Sequence, residues 1–422
     1  MRFVVFLDAL DQKDILSSPW LTEKMKCGYN PGVPKVTPNV ISQIMTGQRR
    51  EDLPFMRSTP YKKPRVMHIE DKTILHYAAE EQGLRVFQYG IPLCSQIQLP
   101  DGSISTYDHF IHQGQVIPAV LQFAKNNVDY MKADPELIFH ALVDETQTQF
   151  STLRTIARNG NFDIMFWGYT FIDALTHWYN EESRRRLIYY VGEELKDLNR
   201  YGDILFFSDH GSTEQKKVFF VNKFLYEKGY LKYEIYEKLM NFHEAYSKQF
   251  PDQILLQHQH VYIDWNDSKF YSTDAFDAMI DVTDKATEED KQKLKAELME
   301  TGYFNSVSLK EEILDKDGKC YELSPGIICD AAEGVLVSTN IHENAESGKN
   351  MDNLRGGWHS DRGVFGSTTD IRQSVTCPRD IYYAMCEFVR GQKPEVKKVI
   401  DPEEAEILGD DLVNLMDQLG YQ

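Results

Sequence analysis

The sequence predicts an α/β protein built on a parallel sheet. Short apolar runs bounded by charges and glycines recur along the chain, and longer segments with helical spacing lie between them. Strands that alternate with helices in this way pair in parallel. Size is the third observation. At 422 residues the chain exceeds one small core, so a large α/β domain with a smaller inserted or appended unit is expected.

The expected strands are RFVVFL (2–7), LRVFQYGI (84–91), FDIMFWGYTFI (162–172) and DILFFS (203–208). KTILHYAAEEQG (72–83) has helical spacing and a glycine stop. In 180–202, Leu187, Tyr190, Val191, Glu194, Leu195 and Leu198 mark one mainly apolar helix face, and Arg184, Arg185 and Arg186 read as its solvated side. Segment 219–233 reads as a strand end and a short helix. From about 245 the texture changes to a small mixed α+β region, and 340–363, rich in Gly and Asn, reads as mostly loop. The acidic tail, ending DQLGY, reads as two amphipathic helical pieces.

Apolar residues make up 42% of the chain, an ordinary globular fraction. The net charge of −19 argues against a general nucleic-acid binder, whose phosphate contacts need a basic surface. It leaves a small anionic substrate open, because a local metal cluster can reverse the sign of a pocket. Asp8 interrupts the first apolar run, which is too short for a signal segment. No stretch of about 18 apolar residues suggests a membrane span. Six cysteines lie far apart with no C-x-x-C pair, so reduced thiols and a soluble, cytoplasmic protein are expected.

Ligands bind outside the carboxyl ends of the strands of an open parallel sheet. Asp8, Asp173 and the pair Asp209-His210 follow three of the expected strands. Each acid alone is more readily an ordinary turn or cap residue than a ligand, but three in one sheet are hard to dismiss. Asp173 and His177, four apart, share a helix face and can hold one metal ion; an N-cap Asp with a partly buried His is the alternative. His359 sits in a glycine-rich stretch, where the backbone can approach a crowded site. Gly211, after Asp209-His210, is expected to leave room for a phosphate. In KVTPNVISQIMTG, Pro38 suits the first position of a helix and Gly47 its stop, which puts Thr37 at the N-cap. Thr37 is then a capping residue, or a nucleophile activated by a metal beside a phosphate at the helix N-terminus.

Taken in order, these segments resemble the alkaline phosphatase superfamily, and within it the type I phosphodiesterase/nucleotide pyrophosphatase family. The resemblance covers nearly the whole chain. It implies an α/β/α sandwich with a mostly parallel central sheet, formed by 1–244 and 356–422, and an inserted α+β cap at 245–355 that shapes the substrate pocket. It further implies two divalent ions, zinc or alternatively manganese. One would be held by Asp173, His177 and His359, the other by Asp8, Thr37, Asp209 and His210. Thr37 would attack phosphorus and form a phospho-threonine, which water then releases. The family follows its nucleophile with x-Pro-Asn. Here Pro38 and Asn39 follow Thr37 directly and Val40 takes the family's Asn position, so Asn39 is the candidate phosphate contact, with backbone N–H groups at the helix start carrying more of that work.

The reading is a hydrolase of phosphodiester or pyrophosphate bonds, with a small phosphate-ester substrate and no stable nucleic-acid complex. Nothing in the sequence indicates an oligomeric state. Rival uses of the site are as a phosphomonoesterase, phosphonate hydrolase or phosphomutase, or in a non-catalytic relative that only binds a ligand. All seven implied metal positions hold capable residues, which counts against the last. A sulfatase would need Cys or Ser where Thr37 stands. His258 and His260, two apart on an expected strand, read as ordinary strand residues without a third ligand. Arg49 and Arg50 read as surface residues.

Overall fold

The computed structural model describes residues 1–32, 35, 37–53, 69, 71–94, 97–100, 102–105, 135–178, 181–214, 216–235, 254–256, 261–264, 267–274, 278–322, 324–339, 341 and 357–391. His258, His260 and the expected tail helices lie outside them.

Eighteen strands are described. They are β1 (Arg2–Leu7), β2 (Met25–Tyr29), β3 (Val86–Tyr89), β4 (Ile104–Ser105), β5 (Ile164–Tyr169), β6 (Asp203–Phe207), β7 (Gly211–Glu214), β8 (Lys217–Phe220), β9 (Tyr233–Ile235), β10 (Ile254–Leu256), β11 (Val261–Ile263), β12 (Phe270–Asp274), β13 (Met279–Val282), β14 (Phe304–Leu309), β15 (Ile327–Ala331), β16 (Val335–Ser338), β17 (Gly357–Ser360) and β18 (Gly363–Ser367). The helices used below are α1 (Pro19–Lys24), α2 (Thr37–Thr46), α3 (Ile74–His76), α4 (Pro135–Asn159), α5 (Phe171–Trp178), α6 (Glu181–Leu198), α7 (Val221–Glu227), α8 (Glu288–Glu300), α9 (Lys310–Ile313) and α10 (Pro378–Arg390).

The central sheet has seven strands in the order β2-β18-β6-β1-β5-β3-β4. From β6 to β4 every pairing is parallel, and β18 runs antiparallel to both β6 and β2. All six residues of β1 are buried, so the strand reads as a continuous apolar run, as expected for a central parallel strand. Its side chains alternate between two cores. Val4 and Phe6 join Val40, Ile44, Ala384 and Met385 on the side of α2 and α10. Phe3, Val5 and Leu7 join Phe150, Leu153, Leu187 and Leu195 on the side of α4 and α6. Helices therefore cover both faces, the α/β/α arrangement expected from the sequence. A third apolar cluster runs from Phe219 to Ile341 and packs α7 and α8 with the four-stranded sheet β12-β13-β15-β14. Among the described residues no helix is long and apolar enough to cross a membrane, and the six cysteines form no disulfide with one another.

Three local readings change. The run 162–172 is not all strand, because β5 ends at Tyr169 and Phe171-Ile172 already belong to α5. The helical stretch near 72–83 is one α turn that widens into a π turn over Tyr77–Glu81. Arg184 is not a solvated residue. Its side chain is 2% exposed and its Nε donates to the wholly buried Asp14 at 2.8 Å. Arg185 and Arg186 do face solvent and pair with Glu181 and Glu136. Removing one partner of a buried pair strands the other charge, so Arg184→Ala is expected to destabilise the protein by about 3–5 kcal/mol. Arg200→Ala, which loses only an exposed pair with Asp197, should cost about 0.5 kcal/mol. Urea denaturation of the two variants checks the contrast.

Candidate active site

Three neighbouring parallel strands bring their carboxyl ends side by side. Asp8 stands one residue past β1, β6 runs through Ser208 into Asp209-His210, and β5 leads into α5, whose first turn carries Asp173. The chain turns sharply after Asp8. Ala9 takes a left-handed conformation at φ 59°, which costs a non-glycine residue about 1–2 kcal/mol, and its N–H points at Asp209 Oδ1 across 3.5 Å.

Two groups result, each with ligand atoms within 4.8 Å of one another: Asp8, Asp209 and His210, and Asp173, His210 and His359. The sequence assigned His210 to one ion, yet it belongs to both groups. Thr37, the first residue of α2, brings its hydroxyl to 3.4 Å from His210 Nε2. His177 lies on α5, but its side chain is outside the described residues. Asn39 is buried in the first turn of α2, where its Oδ1 accepts from Gln43 Nε2 at 3.0 Å.

His359 is not in a loop. It lies in β17, which pairs antiparallel with β7 so that His359 stands opposite Ser212. The glycines obscured this strand, whose partner lies far away in sequence. The pairing stacks the rings of His359 and His210, with centroids 3.7 Å apart. Gly211 also departs from expectation. A Cβ there would collide with Asp11 Oδ2, Ser360 Oγ and the Arg362 carbonyl, so its missing side chain makes room for protein atoms rather than for a phosphate.

Both imidazoles are oriented by backbone. His210 Nδ1 is 3.0 Å from the Gly211 carbonyl and His359 Nδ1 is 2.6 Å from the Lys35 carbonyl. A carbonyl only accepts, so each Nδ1 carries a proton and each ring turns its Nε2 inward, as a lone pair wherever the ring is neutral. His210 Nε2 then lies 3.2 Å from Asp209 Oδ2 and 3.7 Å from Asp8 Oδ1, and His359 Nε2 lies 3.6 Å from Asp173 Oδ1. Lone pairs facing carboxylate oxygens repel unless a proton or a cation lies between them. A metal-ligating histidine is usually held in this way, its other ring nitrogen donating to a backbone carbonyl.

The charges point the same way. Among the described residues, both oxygens of Asp8 and Oδ2 of Asp209 are buried without a hydrogen-bond partner. Burial, then the charge of Asp209, pushes the Asp8 carboxyl well above the usual carboxylate range. Burial pushes His210 down to about 4, against the pull of Asp209. Burial also opposes charge on His359, but the close Asp173 carboxylate and its charge outweigh it and raise that group. Orphaned carboxylate oxygens beside inward-facing imidazole nitrogens fit a divalent cation with oxygen and nitrogen ligands.

Sequence reading missed several residues around this centre. Tyr29 brings its buried hydroxyl to the carbonyls of Ser208 and Asp209. Lys35 pairs with Asp330 of β15 at 2.6 Å. The Asp11 carboxylate, also missed, is wholly buried. Apart from the Lys13 N–H on Asp11, these side-chain partners lie far away in sequence, and no local pattern marks them.

A three-layer α/β fold with carboxylates and imidazoles gathered at the carboxyl ends of its central strands defines a class of protein that carries its chemistry on that edge. No protein-family model and no curated protein matches the chain. Solved structures do. Phosphonoacetate hydrolase from Sinorhizobium meliloti 1021, solved with phosphonoformate, superposes with a TM-score of 0.59 at 15% identity, covering 91% of this chain and 94% of that one. Its complex with phosphonoacetate gives 0.57 at 16% identity, with the same coverage. Murine ectonucleotide pyrophosphatase/phosphodiesterase 5 gives 0.50 at 15% identity, over 92% of this chain and 94% of that one. The chain has the alkaline phosphatase superfamily fold.

A raised carboxyl favours the folded state below the unfolded pKa of about 4, and that advantage is lost as pH rises toward the folded value. In metal-free protein, Asp8 should therefore cost stability between pH 5 and 8. The melting temperature of Asp8→Asn minus that of wild type should grow across this range, and a divalent ion should reverse it by stabilising the wild type more than the variant. Thermal scans with and without chelator measure both effects.

Proposed function

We propose that the chain is a metal-dependent phosphoryl hydrolase with Thr37 as nucleophile, acting on a phosphodiester or pyrophosphate bond of a small substrate. The observation that carries this reading is the Thr37 hydroxyl, 3.4 Å from His210 Nε2 at the first residue of α2 and set against two Asp/His groups that share His210. Asp8, Thr37, Asp209 and His210 would hold one divalent ion, and Asp173 and His359, joined by His177, the other; zinc is the leading choice and manganese the alternative. When bound, such ions lower the pKa of a coordinated hydroxyl and neutralise charge on phosphoryl oxygens.

The chain's own residues supply position. The start of α2 offers backbone N–H groups to phosphoryl oxygens in the place where its dipole favours negative charge. Asn39 lies in the same turn, its amide fixed by Gln43. Thr37 Oγ attacks phosphorus in line as the bond to the leaving oxygen breaks, giving a phospho-threonine. Water then attacks that phosphorus and frees the threonine hydroxyl. The Lys35 carbonyl holds His359 as the nucleophile's helix begins.

A second reading, a phosphonate hydrolase using the same residues, is supported by the better superposition on phosphonoacetate hydrolase, 0.59 against 0.50 for the ectonucleotide pyrophosphatase. Turnover of bis-p-nitrophenyl phosphate, p-nitrophenyl phosphate and phosphonoacetate by metal-loaded protein separates the readings. Preference for the diester supports the first, release of phosphate from phosphonoacetate supports the second, and preference for the monoester counts against both.

Thr37→Ala should lower turnover of the preferred substrate roughly a thousandfold or more while the protein keeps most of its metal by elemental analysis. Near-normal rates in that variant would show that Thr37 is not the nucleophile.

A further inference from the structure

We infer that Asp11 is the positioning residue that sets the two metal-facing imidazoles, His210 and His359, relative to each other. The inference rests on the metal-binding reading above and concerns a residue outside the proposed ligand set. Asp11 is wholly buried and lies three residues after Asp8, in the turn that leaves β1. Its Oδ2 accepts from the Ser212 backbone N–H at 3.0 Å and from Ser360 Oγ at 2.7 Å. Arg362 Nε reaches Oδ1 at 3.2 Å and Oδ2 at 3.1 Å, and the Lys13 N–H donates to Oδ1 at 2.9 Å.

These contacts straddle the β7–β17 ribbon. Ser212 is the register partner of His359, and Ser360 is the partner of Gly211, which follows His210. One carboxylate oxygen therefore ties together the strand that leads out of His210 and the strand that carries His359. Among the described residues the ribbon has two strands, and an isolated pair of this kind is marginal in water. Its register needs an external anchor if two imidazoles are to stay stacked, and Asp11 provides one from the turn that also presents Asp8.

The surroundings are arranged for this bond. Gly211 must lack a Cβ because Asp11 Oδ2 and Ser360 Oγ occupy that space. Ser212 Oγ contacts Asp14 at 3.3 Å, and Asp14 is pinned by Arg184 on α6. Arg362 continues to Glu333 at 3.0 Å, and Glu333 accepts from Thr213 Oγ1 at 3.1 Å, which closes the circuit back on β7. A carboxylate satisfied by several donors holds direction as well as distance.

The test is calorimetric titration of Zn2+ and of Mn2+ into chelator-stripped protein, which reads binding without reference to turnover. Asp11→Asn keeps the shape but replaces one acceptor oxygen with a donor. It is expected to weaken ion binding roughly 10–100-fold, as loss of an outer-shell partner does. Gly211→Ala should weaken it similarly, and the double variant should add little, because both changes break one contact. Ser360→Ala removes a single hydroxyl and should act in the same direction by a smaller factor, which gives a readout should Asp11→Asn fail to fold. Leu195→Ala, a core truncation further along α6, should lower the melting temperature and leave ion affinity unchanged. Affinity within twofold of wild type in Asp11→Asn or Ser360→Ala, independent effects of Asp11→Asn and Gly211→Ala, or an equal loss in Leu195→Ala would overturn the inference alone. Wild-type protein that takes up neither ion would overturn the metal reading and this inference with it.

Discussion

The structure turns on the burial of negative charge. Asp8 and Asp209 have no exposed surface and Asp173 has 7%, and three adjacent strands bring them to a common edge. Two like charges within 4.8 Å of each other, as in such a group, repel by roughly 3–4 kcal/mol or more at an effective dielectric constant near 20, before any cost of desolvation. The imidazoles offset little of this. His210 is driven toward its neutral form, and His359, drawn upward by Asp173, supplies at most one positive charge. Either protons occupy the carboxylates or a cation stands among them, and this imbalance is the physical basis for reading the site as metal-binding.

The scaffold bears that cost in an ordered way. The central strands are buried on both faces, so the strand ends that carry Asp8 and Asp209 are held by the largest cores in the molecule. Near the site, Asp14 pairs with Arg184, Asp11 with Arg362 and Lys35 with Asp330. Asp8 differs from these acids in that neither of its carboxylate oxygens is hydrogen-bonded among the described residues. Net charge does not oppose the reading. A chain at −19 repels anions on average, whereas substrate capture depends on the local sign at the site.

Much of the fold was legible because its governing forces are local or periodic. β1 and β6 follow uninterrupted apolar runs to within a residue, and α2 ends before Gly47, whose φ of 70° is the left-handed stop expected of it. Clustering of Asp8, Asp173 and Asp209 followed from one rule about parallel sheets. Reading failed where a residue's role is set by a distant partner. Arg184 looks like its two neighbours until Asp14 is brought beneath it, and His359 looks like a loop residue until β7 supplies the other half of its ribbon. Gly211 was taken as space for a ligand because the side chains that need that space are Asp11 and Ser360, which nothing in the local sequence connects to it.

Lys35 shows how these non-local contacts bear on chemistry. Its carbonyl accepts the Nδ1–H of His359, its ammonium meets Asp330 on β15 of the four-stranded sheet, and Thr37 follows two residues later. One buried residue therefore joins the approach to Thr37, the proposed nucleophile, to one inward-facing imidazole and to the second sheet. In-line displacement tolerates little error in the position of its nucleophile, and misplacement by about 1 Å is enough to cost a hundredfold in rate. A helix start free to slide would lose that precision. Anchoring it through a carbonyl and an ion pair lets Thr37 and His359 hold a common frame, and it makes the site's geometry depend on the second sheet as well as on the sheet that carries the acids.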